Sequence, residues 1–329
     1  MRKELLVVFA LLVTACRQPP PVPVEKLQPI VHAVPLPQPV TPVAVAAPVT
    51  PTQVEAPSPV VDLLLAALAA EDTPTLAGLL AADVTVTLSN GDMCTGAQSC
   101  ALAATQVLTA TKLQILRRVH PSPTVDVVQG LAQVADRRVP FVAVLVTLHD
   151  RVAQVRLYGN SMPWRYLLDP PKTPLGPPTA EPVDDVRVPA AFDVPRFVAA
   201  FDPAVLAKDA TAAGLVAEDL LYHDTTAGTE TTTAVANQAA IRAFAQAFDV
   251  QDTQLLGQHA AGQWLVLERD VTLRQRAPVV PVPPSDELLH LRTLEFLLIQ
   301  QGKIAVVWGY ADPVSFLPAV EQPPIPALH

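Results

Sequence analysis

Apolar and polar residues alternate along residues 289–312. Leu294, Phe296 and Leu298 fall on one face of a first segment, with Thr293 and Glu295 between them. After Gln301-Gly302-Lys303, the residues Ile304, Val306, Trp308 and Tyr310 share a face of a second segment. A period of two predicts half-buried strands, and the glycine-containing turn joins them as a hairpin. The pattern recurs more weakly over residues 141–160. Residues 151–160 lie under residues 303–312 without a gap, matching Arg151 with Lys303, Val152 with Ile304, Ala153 with Ala305, Val155 with Val307 and Tyr158 with Tyr310. The front ends match as well: residues 79–85 lie under 215–221, with Gly78 against Gly214 and Thr75 against Thr211. Repetition on this scale predicts two copies of one domain; a solenoid would need three or more short repeats. Two unrelated α+β domains sharing Ala/Val/Leu-rich strings are the alternative.

The first domain spans residues 60–160. Val61, Leu64, Leu65 and Leu68 recur at helical spacing, and Glu71-Asp72-Thr73-Pro74 ends that helix and caps the next. A strand follows at 83–88, a turn at 89–92, a helix at 97–108, and strands at 113–119, 131–135, 141–148 and 152–158. A proline-rich linker covers 161–192, and its Trp164, Tyr166, Leu167 and Leu168 are apolar enough to pack on a domain. The second domain spans 193–317. Its opening helices run to 213, with Pro203 starting the second. A strand is expected at 219–224, a helix at 239–248 and a strand at 264–274, whose Leu265, Leu267, Val271 and Leu273 point inward. Residues 277–285 are a proline-rich excursion, and residues 318–329 read as a disordered tail.

Composition modifies this picture at the front of the chain. Residues 5–15 form an apolar run of signal-peptide length behind a short charged start, ending Val13-Thr14-Ala15-Cys16. This resembles the lipobox of bacterial lipoproteins, which implies cleavage before Cys16 and lipidation of that residue; an ordinary secretory signal is the alternative. Arg17, where an aspartate would imply inner-membrane retention, points to an outer-membrane anchor. Residues 16–59 are then a tether, thirteen prolines falling between 17 and 59. Such a segment lies near polyproline II at roughly 3.1 Å per residue. Net charge is −9 and no basic cluster is present, which argues against nucleic acid and anionic lipid headgroups.

Several segments of the second domain resemble the SnoaL-like branch of the NTF2-like superfamily, whose members include the ketosteroid isomerases. The matching parts are residues 215–224, 240–244 and 265–272, together with Gln301-Gly302-Lys303-Ile304 and Trp308. The resemblance implies an α+β fold of two tandem cones, each a strongly curved mixed or antiparallel sheet wrapped on N-terminal helices, with a pocket in the open end. It also implies pairing through the sheets, here as an intramolecular pseudo-dimer. Tyr222, Glu268, Asp270, Trp308 and Tyr310 are then expected to line the pocket.

The same resemblance places a general-base carboxylate at Asp224, with His223 beside it. A carboxylate in an apolar cone would have a raised pKa and could take a carbon-bound proton. Neighbours on a strand point to opposite faces, so only one of the two can face the pocket. The rest of that machinery is not found: the opening helix has Phe197 where an oxyanion-stabilising tyrosine would stand, and Leu294 stands where the partner carboxylic acid belongs. Asp224 therefore reads as a catalytic base or as a polar strand end. Glu268, Asp270 and Arg274 share a strand face, which is either a polar pocket wall or a solvated surface. His259 is expected in a loop and His290 at a strand start. No metal-ligand spacing, phosphate loop or nucleophile motif is present, and no cofactor is expected. Cys94 and Cys100 are expected to form a disulfide in an oxidising envelope, free thiols being the alternative. The first domain reads as a scaffold. The expected function is non-catalytic binding of a small apolar ligand or an envelope protein, with an isomerase or cyclase using Asp224 as the rival reading.

Overall fold

The computed structural model describes residues 58–89, 91, 93–108, 111–134, 137–159, 192–203, 215–225, 229–231, 234–277, 287–312 and 315. The signal segment, Cys16, the tether, the linker with its aromatic residues, the helix expected from Pro203 and the tail lie outside them.

The first half opens with helices α1 (Pro59–Ala69) and α2 (Thr73–Leu79). Asp72 starts α2 because its carboxylate accepts from the Thr75 backbone N–H at 3.1 Å and a proline follows at the first turn, where its missing N–H costs nothing. Strands β1 (Leu80–Leu88) and β2 (Met93–Thr95), helix α3 (Ala97–Leu108) and strands β3 (Thr111–Ser122), β4 (Val125–Val134), β5 (Arg137–Leu148) and β6 (Arg151–Gly159) follow. The second half repeats the plan with α4 (Val194–Ala200), β7 (Val216–Asp224), β8 (Thr229–Thr231), α5 (Ala234–Ala247), β9 (Phe248–Ala261), β10 (Trp264–Gln275), β11 (Leu288–Gln300) and β12 (Lys303–Tyr310). Gln301 and Gly302 turn the last hairpin with positive φ, a conformation that suits glycine at the second position.

Each half builds one six-stranded mixed sheet. The orders are β2-β1-β6-β5-β4-β3 and β8-β7-β12-β11-β10-β9. In both, the first long strand runs parallel to the last and every other pairing is antiparallel. Equal strand order, with the same odd parallel pair, supports duplication over convergence.

Every strand has two faces. One face of the first sheet packs Val84, Val128, Phe141, Ala143 and Leu145 against Val61, Leu64, Leu76 and Ala101 of the helices. The corresponding face of the second sheet packs Leu265, Leu267, Leu297 and Val307 against Phe197 and Ala200 of α4, so the inward residues of β10 fall as its alternation predicts. The opposite faces of the two sheets meet each other. Val119, Val127, Val142, Val144 and Tyr158 share one cluster with Trp264, Val266, Leu294, Phe296, Leu298, Trp308 and Tyr310.

Strand β9 corrects the sequence reading. Residues 248–261 were expected to be the end of a helix and a loop holding His259, yet they form a fourteen-residue strand. It is an edge strand whose side chains are largely exposed, so its sequence carries no apolar alternation; pairing with β10 through the backbone defines it. Among the described residues, no helix is long and apolar enough to cross a membrane.

Candidate functional site

The cross-strand register of the second sheet sets Glu295 beside Gly309 and Gly309 beside Asp224. All three lie on the helix-side face, as Leu297 and Val307 do. Tyr222, two residues before Asp224, shares their face and packs on the α4 cluster. Its hydroxyl lies over Gly309: a Cβ there would stand 2.6 Å from the Tyr222 oxygen, so only glycine leaves the ring its place. Burial raises the Tyr222 pKa, and the nearby charges of Asp224 and then Glu295 raise it further, so the hydroxyl keeps its proton as a hydrogen-bond donor.

Arg269 completes the group. It is fully buried, and its guanidinium contacts the Glu295 carboxylate and donates to the Val198 carbonyl of α4 at 3.3 Å. Thr293 donates to Glu295 Oε1 at 3.2 Å. Burial pushes the Glu295 pKa up, against the opposing pull of Arg269. The result is a half-buried row of carboxyl, hydroxyl and carboxyl groups, backed by a buried guanidinium and walled by leucines. Such a row can donate to and accept from one polar group on an otherwise apolar molecule.

The first half shows what the same positions look like without this chemistry. In equivalent register, Val86 stands for Tyr222, Leu88 for Asp224, Gly130 for Arg269, Phe141 for Thr293, Ala143 for Glu295 and Leu157 for Gly309. Phe141 fills the space over Gly130, where a Cβ would meet its ring at 2.8 Å. A buried ion pair is commonly no more stabilising than a well-packed apolar set of like volume. The fold accepts the apolar set in one half, so stability alone does not account for the polar set in the other.

The sequence-predicted site residues divide between the two faces. Tyr222 and Asp224 belong to the row just described. His223 points the other way, is buried, and stacks on Trp308 with ring centroids 5.5 Å apart. Glu268, Trp308 and Tyr310 are not with Tyr222 and Asp224: alternation turns them to the face that meets the first sheet. Asp270 lies on that same side of β10, 3.7 Å from Arg292 and 3.8 Å from His290. Leu294, which stands where the resemblance would put a partner carboxylic acid, faces the first sheet, and its neighbour Glu295 faces the helices. The sequence signal for Arg269 and Glu295 was available: Arg269 is a charged residue at an inward position between Leu267 and Val271, and Glu295 is one beside Leu297.

Glu268 has a different role from a pocket wall. Its fully buried carboxylate accepts from Arg156 Nε at 2.6 Å and Nη2 at 2.8 Å, from the Tyr158 hydroxyl at 2.8 Å, and pairs with His259 Nε2 at 2.8 Å. Burial works to raise its pKa, but the His259 and Arg156 hydrogen bonds, the Arg156 charge and Tyr158 outweigh it and hold the group down at about 2. Gly257 makes room, since a Cβ there would meet Glu268 Oε1 at 2.3 Å. Cys94 and Cys100 are joined by a disulfide between β2 and the first turn of α3. Among the described residues, no cluster of three or more His, Cys, Asp or Glu could hold a metal ion.

No known protein family matches the chain by sequence, and no curated protein does. Solved structures similar to it include an NTF2-like protein of unknown function from Cytophaga hutchinsonii, 12% identical, with a TM-score of 0.30 over 35% of this chain and 97% of that one. Another is a steroid delta-isomerase from Pseudomonas aeruginosa, 17% identical, with a TM-score of 0.28 over 30% and 75% of the two chains. A third is an NTF2-like protein of unknown function from Mesorhizobium loti, 16% identical, with a TM-score of 0.28 over 31% and 88%.

Proposed function

We propose that the protein is a lipid-anchored envelope protein of two NTF2-like halves, in which the second half binds a small, mostly apolar molecule and the first half is its scaffold. The observation that carries the reading is the polar row of Tyr222, Asp224, Arg269 and Glu295 at positions where the duplicate carries Val86, Leu88, Gly130 and Ala143. The ligand's polar group sits against the Tyr222 hydroxyl and the two carboxyls, and its apolar body lies along the leucine wall. The two halves act as an intramolecular pseudo-dimer, held off an outer membrane by the tether behind Cys16.

The test is mass spectrometry of small molecules that co-purify with the full chain, comparing wild type with Tyr222→Phe and with Glu295→Leu. A compound retained by wild type and depleted from both variants supports the reading. Identical, empty profiles from all three would overturn it and favour an envelope-protein partner. Cys16→Ala should release the chain from membranes.

A second reading, an isomerase or cyclase with Asp224 as general base, has one observation in its favour. The Tyr222 hydroxyl supplies the donor that the opening helix lacks, next to Asp224 and Glu295. In that case Asp224→Asn retains the ligand but loses its conversion, whereas the binding reading has no conversion to lose.

A further inference from the structure

The meeting faces of the two sheets are related position by position. In the first sheet, one cross-strand row reads Arg117, Gln129, Val142, Tyr158; its counterpart reads Gly257, Glu268, Leu294, Tyr310. The next row reads Val119, Val127, Val144, Arg156 against His259, Val266, Phe296, Trp308. The contacts between the halves are reciprocal in these terms. Gln129 Nε2 donates to the Tyr310 hydroxyl at 2.6 Å, and the Tyr158 hydroxyl donates to Glu268 at 2.8 Å. That exchange of equivalent partners is the mark of a local two-fold, the symmetry of a like-with-like dimer.

The charges break that symmetry in one direction. Both guanidiniums, Arg117 and Arg156, come from the first half. Across the contact they meet groups of the second half, while Gln129 and Gln154 of their own half also accept from them. Arg156 meets the Glu268 carboxylate. Arg117 is 3% exposed, lies 4.4 Å from the Trp308 ring centroid and 5.8 Å from that of Trp264, and donates to Gln129 Oε1 at 2.6 Å. Burial lowers the Arg117 pKa, Tyr310 works against that, and the guanidinium lies over the two indole faces, a favourable placement for a cation.

Pairing like halves would place these groups badly. Two first halves would set Arg117 against the equivalent of Trp308, which is Arg156, in both copies of the contact. Two second halves would bury two Glu268 carboxylates with an indole where Arg156 belongs, and Gly257 would offer nothing to the tryptophans. Removing the partner of a buried charge is strongly destabilising, and like charges across an interface exclude wrong partners.

We infer that each sheet face is a recognition surface whose fitting partner is the unlike half of this chain, and that the charge distribution excludes like-with-like pairing. The inference rests on the pseudo-dimer reading above and deepens it. The face that a duplicated homodimer would have kept self-complementary has become specific for its sister.

The test uses the full chain with Cys16→Ser. Trp308→Arg gives the second half the first half's residue at that register position and sets two guanidiniums against each other; Trp308→Phe keeps an aromatic face for Arg117. Hydrogen exchange in β4, β5, β10 and β11 should rise by about thirtyfold or more in Trp308→Arg, the factor carried by one desolvated cation–π contact, and Trp264 emission should shift red. Trp308→Phe should change neither. Adding Arg117→Glu to Trp308→Arg should restore protection, which keeps the test decisive if the single variant folds poorly. Equal protection in the two Trp308 variants, or no rescue by Arg117→Glu, would overturn the inference. Light scattering on the Cys16→Ser chain answers separately for the intramolecular reading: a stable dimer there would refute pairing within one chain, while rescue by Arg117→Glu would still show that unlike faces choose each other.

Discussion

Glu268→Gln tests how the two sheets are held together. The wild-type carboxylate is fully buried and accepts four hydrogen bonds, two of them from one guanidinium. Its folded-state pKa is held down at about 2 from an ordinary 4.5. A depressed value means the stabilisation is fully present above pH 4.5 and is lost as pH falls through 4.5 towards 2. A gap of about 2.5 units, at about 1.36 kcal/mol each, amounts to about 3 kcal/mol, of which about 2 is gone by pH 3. The glutamine variant leaves Arg156 without an anion and turns an amide N–H₂ towards groups that themselves donate. Its cost at pH 7 should be about 3–5 kcal/mol. Urea denaturation of both proteins at pH 7 and pH 3, with the disulfide intact, measures the difference, and contributions from other carboxyls cancel. The gap between wild type and variant should narrow by about 2 kcal/mol at pH 3. A gap that stays constant with pH would refute the linkage, and no gap at all would refute the role of Glu268 in joining the sheets.

Gly309→Ala should push the Tyr222 hydroxyl out of its place, costing about 1–3 kcal/mol in urea melts and depleting the co-purifying ligand. Glu295→Leu alone strands the buried Arg269 and should cost about 3–5 kcal/mol, whereas Arg269→Met with Glu295→Leu should be neutral or stabilising by about 1–4 kcal/mol; a double variant as unstable as the single would contradict the comparison with the first half. Reducing the Cys94–Cys100 disulfide removes a short loop constraint and should lower stability by about 2 kcal/mol, read as a shift in the urea midpoint between reduced, alkylated and oxidised protein.

Much of the architecture was legible in the sequence because the duplicated strands are half-buried. Alternation at residues 294–298 and 304–310 marks both faces of the last hairpin, and the gap-free match of 151–160 to 303–312 carries the same register into the first half. The faces themselves could not be named. Alternation says that Glu268 and Leu267 point opposite ways, but only packing says which way leads to the helices. Choosing the wrong side put Glu268, Trp308 and Tyr310 with Asp224 and left Arg269 and Glu295 out. Strand β9 was missed for the opposite reason, since an edge strand with solvent on most of its side chains has no apolar period to read.

The parallel pair inside each sheet has a consequence for synthesis. Strand β1 has its neighbour β2 early, but its other edge waits for β6, some sixty residues downstream, and β7 waits likewise for β12. Each half therefore stays open beside its first long strand until its last strand leaves the ribosome. The earlier half can close while the later one is still unfinished, and its finished surface then stands ready as a template on which the second copy docks.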